Sequence, residues 1–388
     1  MRLPTFTKTF LSRIQVIKLI GFLSLGLLYA FSSKPSNQFT LSGTTDAADG
    51  EKFYLSYSVN DSMIRDTATV ANGSFSFSGT LNHPTDAYLY AGELNARDNN
   101  RIRRFMLDLA DMTVSLSGDD YSKAPVSGSP STVESDSLDA VIAGIYSMAD
   151  PYKDIIRNHE TTTPALIDSL QRFVLTPMRD SVFHTRLNFV KTHPASFNNL
   201  GVMYVLAQDL TYPQIKEIYE SWNPEVQAAA TLVKHQLNRL AAIQPGQPAP
   251  ELQGTTPAGK TITLSSLKGK PVLVDFWATW CVPCRKSFPH IKEIYNKYHD
   301  RGLEVFCIAS DNKNVEGWRK AIIKDGIEPF HHILREFKGE DGKMIDQNDI
   351  YNVSYIPSKF LVAADGTMIG RFDNPAELDA KLSELFGE

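Results

Sequence analysis

From Phe39 to Leu116 apolar residues alternate with polar ones, as in Phe53, Leu55, Tyr57 and Val59, then Phe75 and Phe77, then Met112, Val114 and Leu116. A period of two is that of half-buried strands, and the turn pairs Asp49-Gly50 and Asn72-Gly73 separate the runs at spacings typical of a β-sandwich. A small all-β domain is therefore expected over residues 38–127. Over residues 133–243 the period changes to that of helices, seen in Leu166, Leu170 and Phe173 and again in Val226, Leu232, Val233, Leu237 and Leu240. Thr163-Pro164 and Asn223-Pro224 read as an N-cap followed by proline at the first helical position, and Tyr204, Tyr219 and Trp222 as core. His159, His184, His193 and His235 are scattered and form no ligand set. The run Gln244 to Pro250, QPGQPAP, interrupts every period and reads as a linker.

Beyond it, over residues 244–388, strand and helix patterns mix. A hairpin is expected around Gly259-Lys260, a strand ending at Trp277, a helix to about Tyr298 and a strand from Leu303 to Ala309. A helix around Trp318, a strand after Pro357, a hairpin at Asp365-Gly366 and a last helix capped by Asn374-Pro375 complete the order.

The chain has 388 residues, of which 42% are hydrophobic and 21% charged, an ordinary globular composition with room for two or three domains. A net charge of -5, with no long Lys/Arg block, argues against nucleic acid as a partner. Arg2, Lys8, Arg13 and Lys18 precede an apolar run from Leu19 to Phe31, and the first acidic residue is Asp46. That order is the order of a signal peptide over residues 1–32. The run is shorter than the roughly 20 residues that cross a bilayer, and an uncleaved N-terminal anchor is the competing reading. No cysteine follows it, which excludes a bacterial lipoprotein anchor.

There are three cysteines, Cys281, Cys284 and Cys307, too few for a disulfide-built scaffold. Two of them lie in FWATWCVPC, Phe276 to Cys284, where an apolar strand gives way to a helix. Cys281 then falls at a helix N-terminus, where free N–H groups and the helix dipole favour a thiolate. Cys284, one turn further in, would be the resolving thiol. Structural zinc wants four ligands and no second CxxC pair exists; His331 and His332 with Cys307 could complete a set, but Cys307 sits mid-strand as a buried thiol would. Haem attachment needs CxxCH, and Arg285 stands in the fifth place. A peroxiredoxin-like peroxidase is a rival reading, but the Pro-x-x-x-Thr/Ser-x-x-Cys pattern of that family is not met before Cys281.

The strand, CxxC and helix resemble the thioredoxin superfamily. Asp275, six residues before Cys281, matches the buried proton acceptor of that family; Pro289 matches the proline in its active-site helix; Ile356-Pro357, in YIPS, matches its cis-proline loop. The phrases GQPAPEL, LSSLKGKPVLVDFWATWC and AADGTMIGRF resemble its TlpA/ResA branch of envelope thiol-disulfide oxidoreductases. The β segment resembles the domain of unknown function that precedes such domains in many Bacteroidota envelope proteins. The fold class expected is an α/β thioredoxin-like C-terminal domain preceded by a small all-β domain and a helical segment.

The resemblance implies a protein-disulfide oxidoreductase of the periplasm or cell envelope, acting as a reductant on protein thiols and disulfides. An upstream membrane thiol donor would serve it, with no cofactor beyond the Cys281–Cys284 pair. Asp275 would be catalytic with the two cysteines, and Trp280, Ile356 and Pro357 would meet substrate, Ile356 through its backbone. The resemblance departs at Ser287, where ResA-like and CcmG-like members, best known for cytochrome c maturation, commonly carry a glutamate. A second class is a non-catalytic adaptor in which the thioredoxin-like part is a redox-sensitive scaffold. The intact pair, acid and proline oppose it.

Overall fold

The alternating N-terminal segment folds as a β-sandwich. In this computed structural model, which describes residues 37–60, 62–92, 99–157, 163–339 and 341–388, the strands are β1 (Gln38–Thr45), β2 (Lys52–Val59), β3 (Ser62–Thr69), β4 (Ser74–Thr80), β5 (Thr85–Ala91), β6 (Ile102–Leu107), β7 (Asp111–Leu116) and β8 (Val126–Ser127). They form two sheets, ordered β4-β1-β7-β8 and β3-β2-β5-β6. The alternating apolar residues face inward, with Phe53 stacked on Phe75 at 4.5 Å between ring centres and Leu41, Leu55, Leu89 and Leu107 around them. Asn72 and Gly73 both take positive φ, 51° and 64°, the turn that passes the chain from β3 to β4. The signal-peptide segment expected over residues 1–32 lies outside the described residues.

Helices follow: α1 (Pro130–Tyr146), α2 (Lys153–Arg157), α3 (Pro164–Leu170), α4 (Thr176–Thr192), α5 (Asn198–Leu206), α6 (Tyr212–Glu220), α7 (Pro224–Ala229) and α8 (Thr231–Ala242). Ser129 caps α1 and donates to Asp108 Oδ2 at 2.7 Å, which fastens the helix to the end of β6. Thr163 and Asn223 stand at N-cap positions, but neither side chain bonds the first turn. The helical core is Val190, Met203, Ile215, Ile218, Trp222, Val226 and Val233. One expected core position is corrected, Tyr204 being exposed, and Leu166, Phe173 and Leu232, which carry the helical period, are exposed as well. Leu166 and Phe173 lie in the continuous helical run that joins α3 to α4 through Gln171–Leu175, and residues away from the buried stripe of such helices face solvent.

The C-terminal domain has β9 (Gln253–Thr255) and β10 (Thr261–Thr263), a hairpin through Gly259, then β11 (Val272–Trp277), α9 (Val282–Tyr298), β12 (Glu304–Ala309), α10 (Val315–Asp325) and β13 (His331–Leu334). A small hairpin, β14 (Glu336–Lys338) and β15 (Met344–Asp346), and α11 (Gln347–Ile350) follow. The chain ends through β16 (Ser358–Val362), β17 (Met368–Arg371) and α12 (Pro375–Phe386). The five-stranded sheet runs β13-β12-β11-β16-β17, with β11, β12 and β13 parallel and β16 and β17 antiparallel to their neighbours. This is a thioredoxin-like order.

Strand β11 is buried at all six positions because it is central and covered on both faces. Leu273 and Trp277 face α9; Val272, Val274 and Phe276 face Phe306, Tyr351 and Phe360. The linker expected at 244–250 is docked instead. Gly246 N–H donates to Met368 O at 2.8 Å, Met368 N–H to Gln247 O at 2.7 Å and Ala249 N–H to Gly366 O at 2.9 Å. Its prolines stop helix and strand periodicity without freeing it from the edge of β17, and Leu240 and Ile243 of the preceding helix end pack into the same domain.

Candidate active site

The strand β11 ends and α9 begins within a few residues, and this junction holds both cysteines. Cys281 is the N-cap of α9, and its sulfur accepts from the Cys284 N–H at 3.2 Å. The two are joined as a disulfide. Cys284 is fully buried and Cys281 almost so, at 4% exposure. Pro283, in the first turn, carries a φ already suited to a helix start, and Pro289 lies inside the helix.

The turn before Cys281 is tied down by Asp311, which follows the end of β12. Its carboxylate accepts from Thr279 N–H at 2.8 Å and from Thr279 Oγ1 at 2.6 Å. The other side of α9 is held by a bidentate pair, Arg285 with Asp325 at 2.8 and 2.6 Å. Ser287 donates to Cys284 O at 2.8 Å, so the hydroxyl at the departing position is spent on its own helix.

Asp275 lies on β11 between Leu273 and Trp277, on the face those residues share with the cysteines. It is fully buried. Strand register sets its neighbours: Cys307 of β12 on one side and Lys359 of β16 on the other. Lys359 Nζ lies 3.3 Å from Asp275 Oδ1, at ion-pair distance but not aligned as a hydrogen bond. Neither carboxyl oxygen has a hydrogen-bond partner among the described residues. Burial pushes the acid above its ordinary pKa, and the Lys359 ammonium opposes that rise.

The Cys307 thiol is pushed up well above its usual range by burial and by Asp275, which makes it an inert core sulfur. His332 is lowered to about 4 by burial, with Nε2 2.7 Å from Ile327 O. His331 pairs instead with Glu304. Among the described residues no group of three His, Cys, Asp or Glu is placed to hold a metal ion.

The Ile356–Pro357 bond is cis, and Ile356 packs against the cluster that contains both cysteines. Among the described residues Ile356 makes no backbone hydrogen bond. Trp280, 67% exposed, and Val282, 62% exposed, flank Cys281 at the surface. The fold thus gathers Cys281, Cys284, Asp275, Ile356 and Pro357, with Trp280 at the rim.

The sequence reading missed Lys359, Asp311 and Tyr355. Lys359 had a signal, a single charge in the apolar strand SKFLV just after Pro357. Asp311 had a weaker one, an acid at the carboxyl end of a parallel strand.

Residues 244–379 match the Redoxin family, and residues 39–134 match a domain of unknown function, DUF4369. The thiol-disulfide oxidoreductase ResA of one Bacillus cereus strain is 32% identical over 127 residues, which are 33% of this chain and 68% of that protein. ResA of a second Bacillus cereus strain is 30% identical over 139 residues, 36% of this chain and 75% of that protein. Among solved structures, the thioredoxin domain of a thiol-disulfide oxidoreductase from Bacteroides vulgatus is 29% identical, covering 36% of this chain and 96% of that one, with a TM-score of 0.33. With its cysteine pair at the strand-to-helix junction and these ResA relatives, the chain belongs to the TlpA/ResA-like thiol-disulfide oxidoreductases of the thioredoxin superfamily.

Proposed function

We propose that this oxidoreductase works as a reductant of protein disulfides in the bacterial envelope, using the Cys281–Cys284 pair without a metal or organic cofactor. The observation that carries the reading is the pair at the start of α9 on the same face as a buried carboxyl, Asp275. In the dithiol form the Cys281 thiolate, favoured by the helix N-terminus, attacks one sulfur of a substrate disulfide. The substrate S–S bond breaks, one substrate thiolate leaves and takes up a proton, and a mixed disulfide remains. Asp275 then accepts the proton of Cys284, whose thiolate attacks Cys281 Sγ and releases the second substrate thiol. Two electrons pass to the substrate and the pair is left oxidised. A carboxylate with a raised pKa is the stronger base for that step.

The free backbone of Ile356 beside Pro357 suits pairing with an extended substrate segment in strand-addition fashion, with Trp280 as an apolar wall. Each turnover consumes two electrons, so a thiol donor must return the pair to the dithiol; in the envelope that donor is a membrane protein. Export through residues 1–32 is part of the same reading.

The test is reduction of insulin by the purified protein and two variants. Cys281→Ser should abolish it, and Cys284→Ser should trap substrate as a mixed disulfide. Greater alkylation of Cys284 than of Cys281 in the reduced protein would reverse the two roles.

A further inference from the structure

Tyr355 is both open to solvent and held still. It is 56% exposed, yet its hydroxyl donates to Asp373 Oδ2 at 2.8 Å and the Arg371 guanidinium lies 4.6 Å from its ring centre. Arg371 is fixed in turn, by Asp373 at 3.0 Å and by donating to Ser358 Oγ at 2.9 Å. Ser358 Oγ donates to the Tyr355 carbonyl at 2.7 Å, which closes a ring of contacts around the Ile356–Pro357 loop. The clamp is electrically neutral, one guanidinium against one carboxylate.

This ring borders the site. Ile356, the next residue, packs against the cluster of Cys281 and Cys284, and Trp280 and Val282 are the exposed residues on either side of Cys281. An approaching sulfur therefore meets a nearly buried disulfide with exposed Trp280 and Val282 on either side of Cys281, and the exposed Tyr355 adjoins the Ile356 that packs against the same cluster. Such surface marks contact with a partner. A ring whose rotamer is already fixed loses little freedom on contact, so more of the gain from burying it is kept as affinity.

We propose that Tyr355, clamped by Arg371 and Asp373, is a specificity-determining residue. With Trp280 and Val282 it selects extended partner segments whose disulfide-bonded cysteine is flanked by large apolar side chains, aromatic or branched aliphatic, over segments flanked by polar ones. The inference rests on the reading that the pair exchanges disulfides with other polypeptides.

The test uses the full-length reduced protein and two disulfide-linked peptides that differ only in the two residues on each side of the cysteine, Leu and Phe in one and Ser in the other. Initial rates at limiting peptide give the preference. The wild type should favour the apolar peptide by about tenfold, Tyr355→Phe should keep most of that preference, and Tyr355→Ser should cut it to about twofold. Arg371→Gln, which frees the ring without removing it, should also lower the preference and stands in if Tyr355→Ser fails to fold. Phe173→Ser, an exposed residue of the helical segment, should leave both rates as they are. Equal rates for the two peptides in the wild type, or a preference unchanged in both Tyr355→Ser and Arg371→Gln, would overturn the proposal while leaving disulfide exchange intact. Failure of the wild type to reduce either peptide or 5,5′-dithiobis(2-nitrobenzoic acid) would instead bring down the exchange reading, and this inference with it.

Discussion

Replacing Asp275 with asparagine should stabilise the oxidised protein at neutral pH, by an amount that grows with pH. The carboxyl is fully buried, has one ammonium at 3.3 Å and no hydrogen-bond partner among the described residues, and burial holds its pKa above the ordinary 3.8. In the unfolded chain it gives up its proton near that ordinary value; in the native state it keeps the proton to higher pH. Between the two, the native state binds one more proton than the unfolded state, so stability falls as pH rises. For one group the fall is about 1.4 kcal/mol per pH unit, and it stops where the native carboxyl ionises. Asparagine cannot ionise and removes the fall. Urea denaturation of wild type and Asp275→Asn from about pH 4 to about pH 8 should give a stability difference that climbs at that slope and then levels. The levelling point reads the native pKa. A difference that is flat or declining over the range would mean that Lys359 outweighs burial and that Asp275 is ionised throughout, which would refute the reasoning.

Lys359→Met should move that levelling point to higher pH, since burial then acts unopposed; a shift to lower pH in the same titration would contradict the ion pair. Asp311→Ala should cost about 2–3 kcal/mol by urea denaturation, two hydrogen bonds from Thr279 being lost, and should slow insulin reduction by loosening the turn before Cys281. A change under about 0.5 kcal/mol would show that the turn holds itself. Gly43→Ala would drive a Cβ into the Phe75 ring across the β1–β4 pair. It should lower the thermal stability of the sandwich by about 1–3 kcal/mol, and an unchanged melting curve would mean that the Phe75 ring moves freely.

The strand-to-helix junction with its CxxC is legible in the sequence because everything that builds it is local: an apolar strand, two cysteines a turn apart, and prolines at 283 and 289. The thioredoxin-like order of the last domain and the alternation of the sandwich are legible for the same reason, the sandwich strands β1 to β7 each declaring themselves within six to eight residues. What the sequence conceals is register. Lys359 and Cys307 become the neighbours of Asp275 only when β16 and β12 pair with β11 at one particular offset. Asp311 is distant from Thr279 in sequence, and Tyr355 gains its clamp from Arg371 at the end of β17 and Asp373 just after it. The helical segment misleads in another way. Apolar residues at helical spacing, such as Leu166 and Phe173, mark the helix correctly but not which of its faces finds a partner, and several of them remain at the surface. The segment QPGQPAP lacks any period and yet is bonded along β17, because backbone groups can join a sheet edge whatever the side chains are.

The reduction potential of the Cys281–Cys284 couple tests most directly whether this oxidoreductase is a reductant. A buried acid on the same face as the pair disfavours a thiolate on Cys284, so stabilisation of the reduced form is confined to the Cys281 thiolate at the helix N-terminus, and a couple whose reduced form is little stabilised gives up electrons readily. Equilibration against glutathione or dithiothreitol, followed by the fluorescence of Trp277 and Trp280 beside the couple, should give a value nearer about -270 mV than about -120 mV. A value close to about -120 mV, together with disulfide formation in reduced test proteins, would contradict the reductant reading and make the same residues an oxidase.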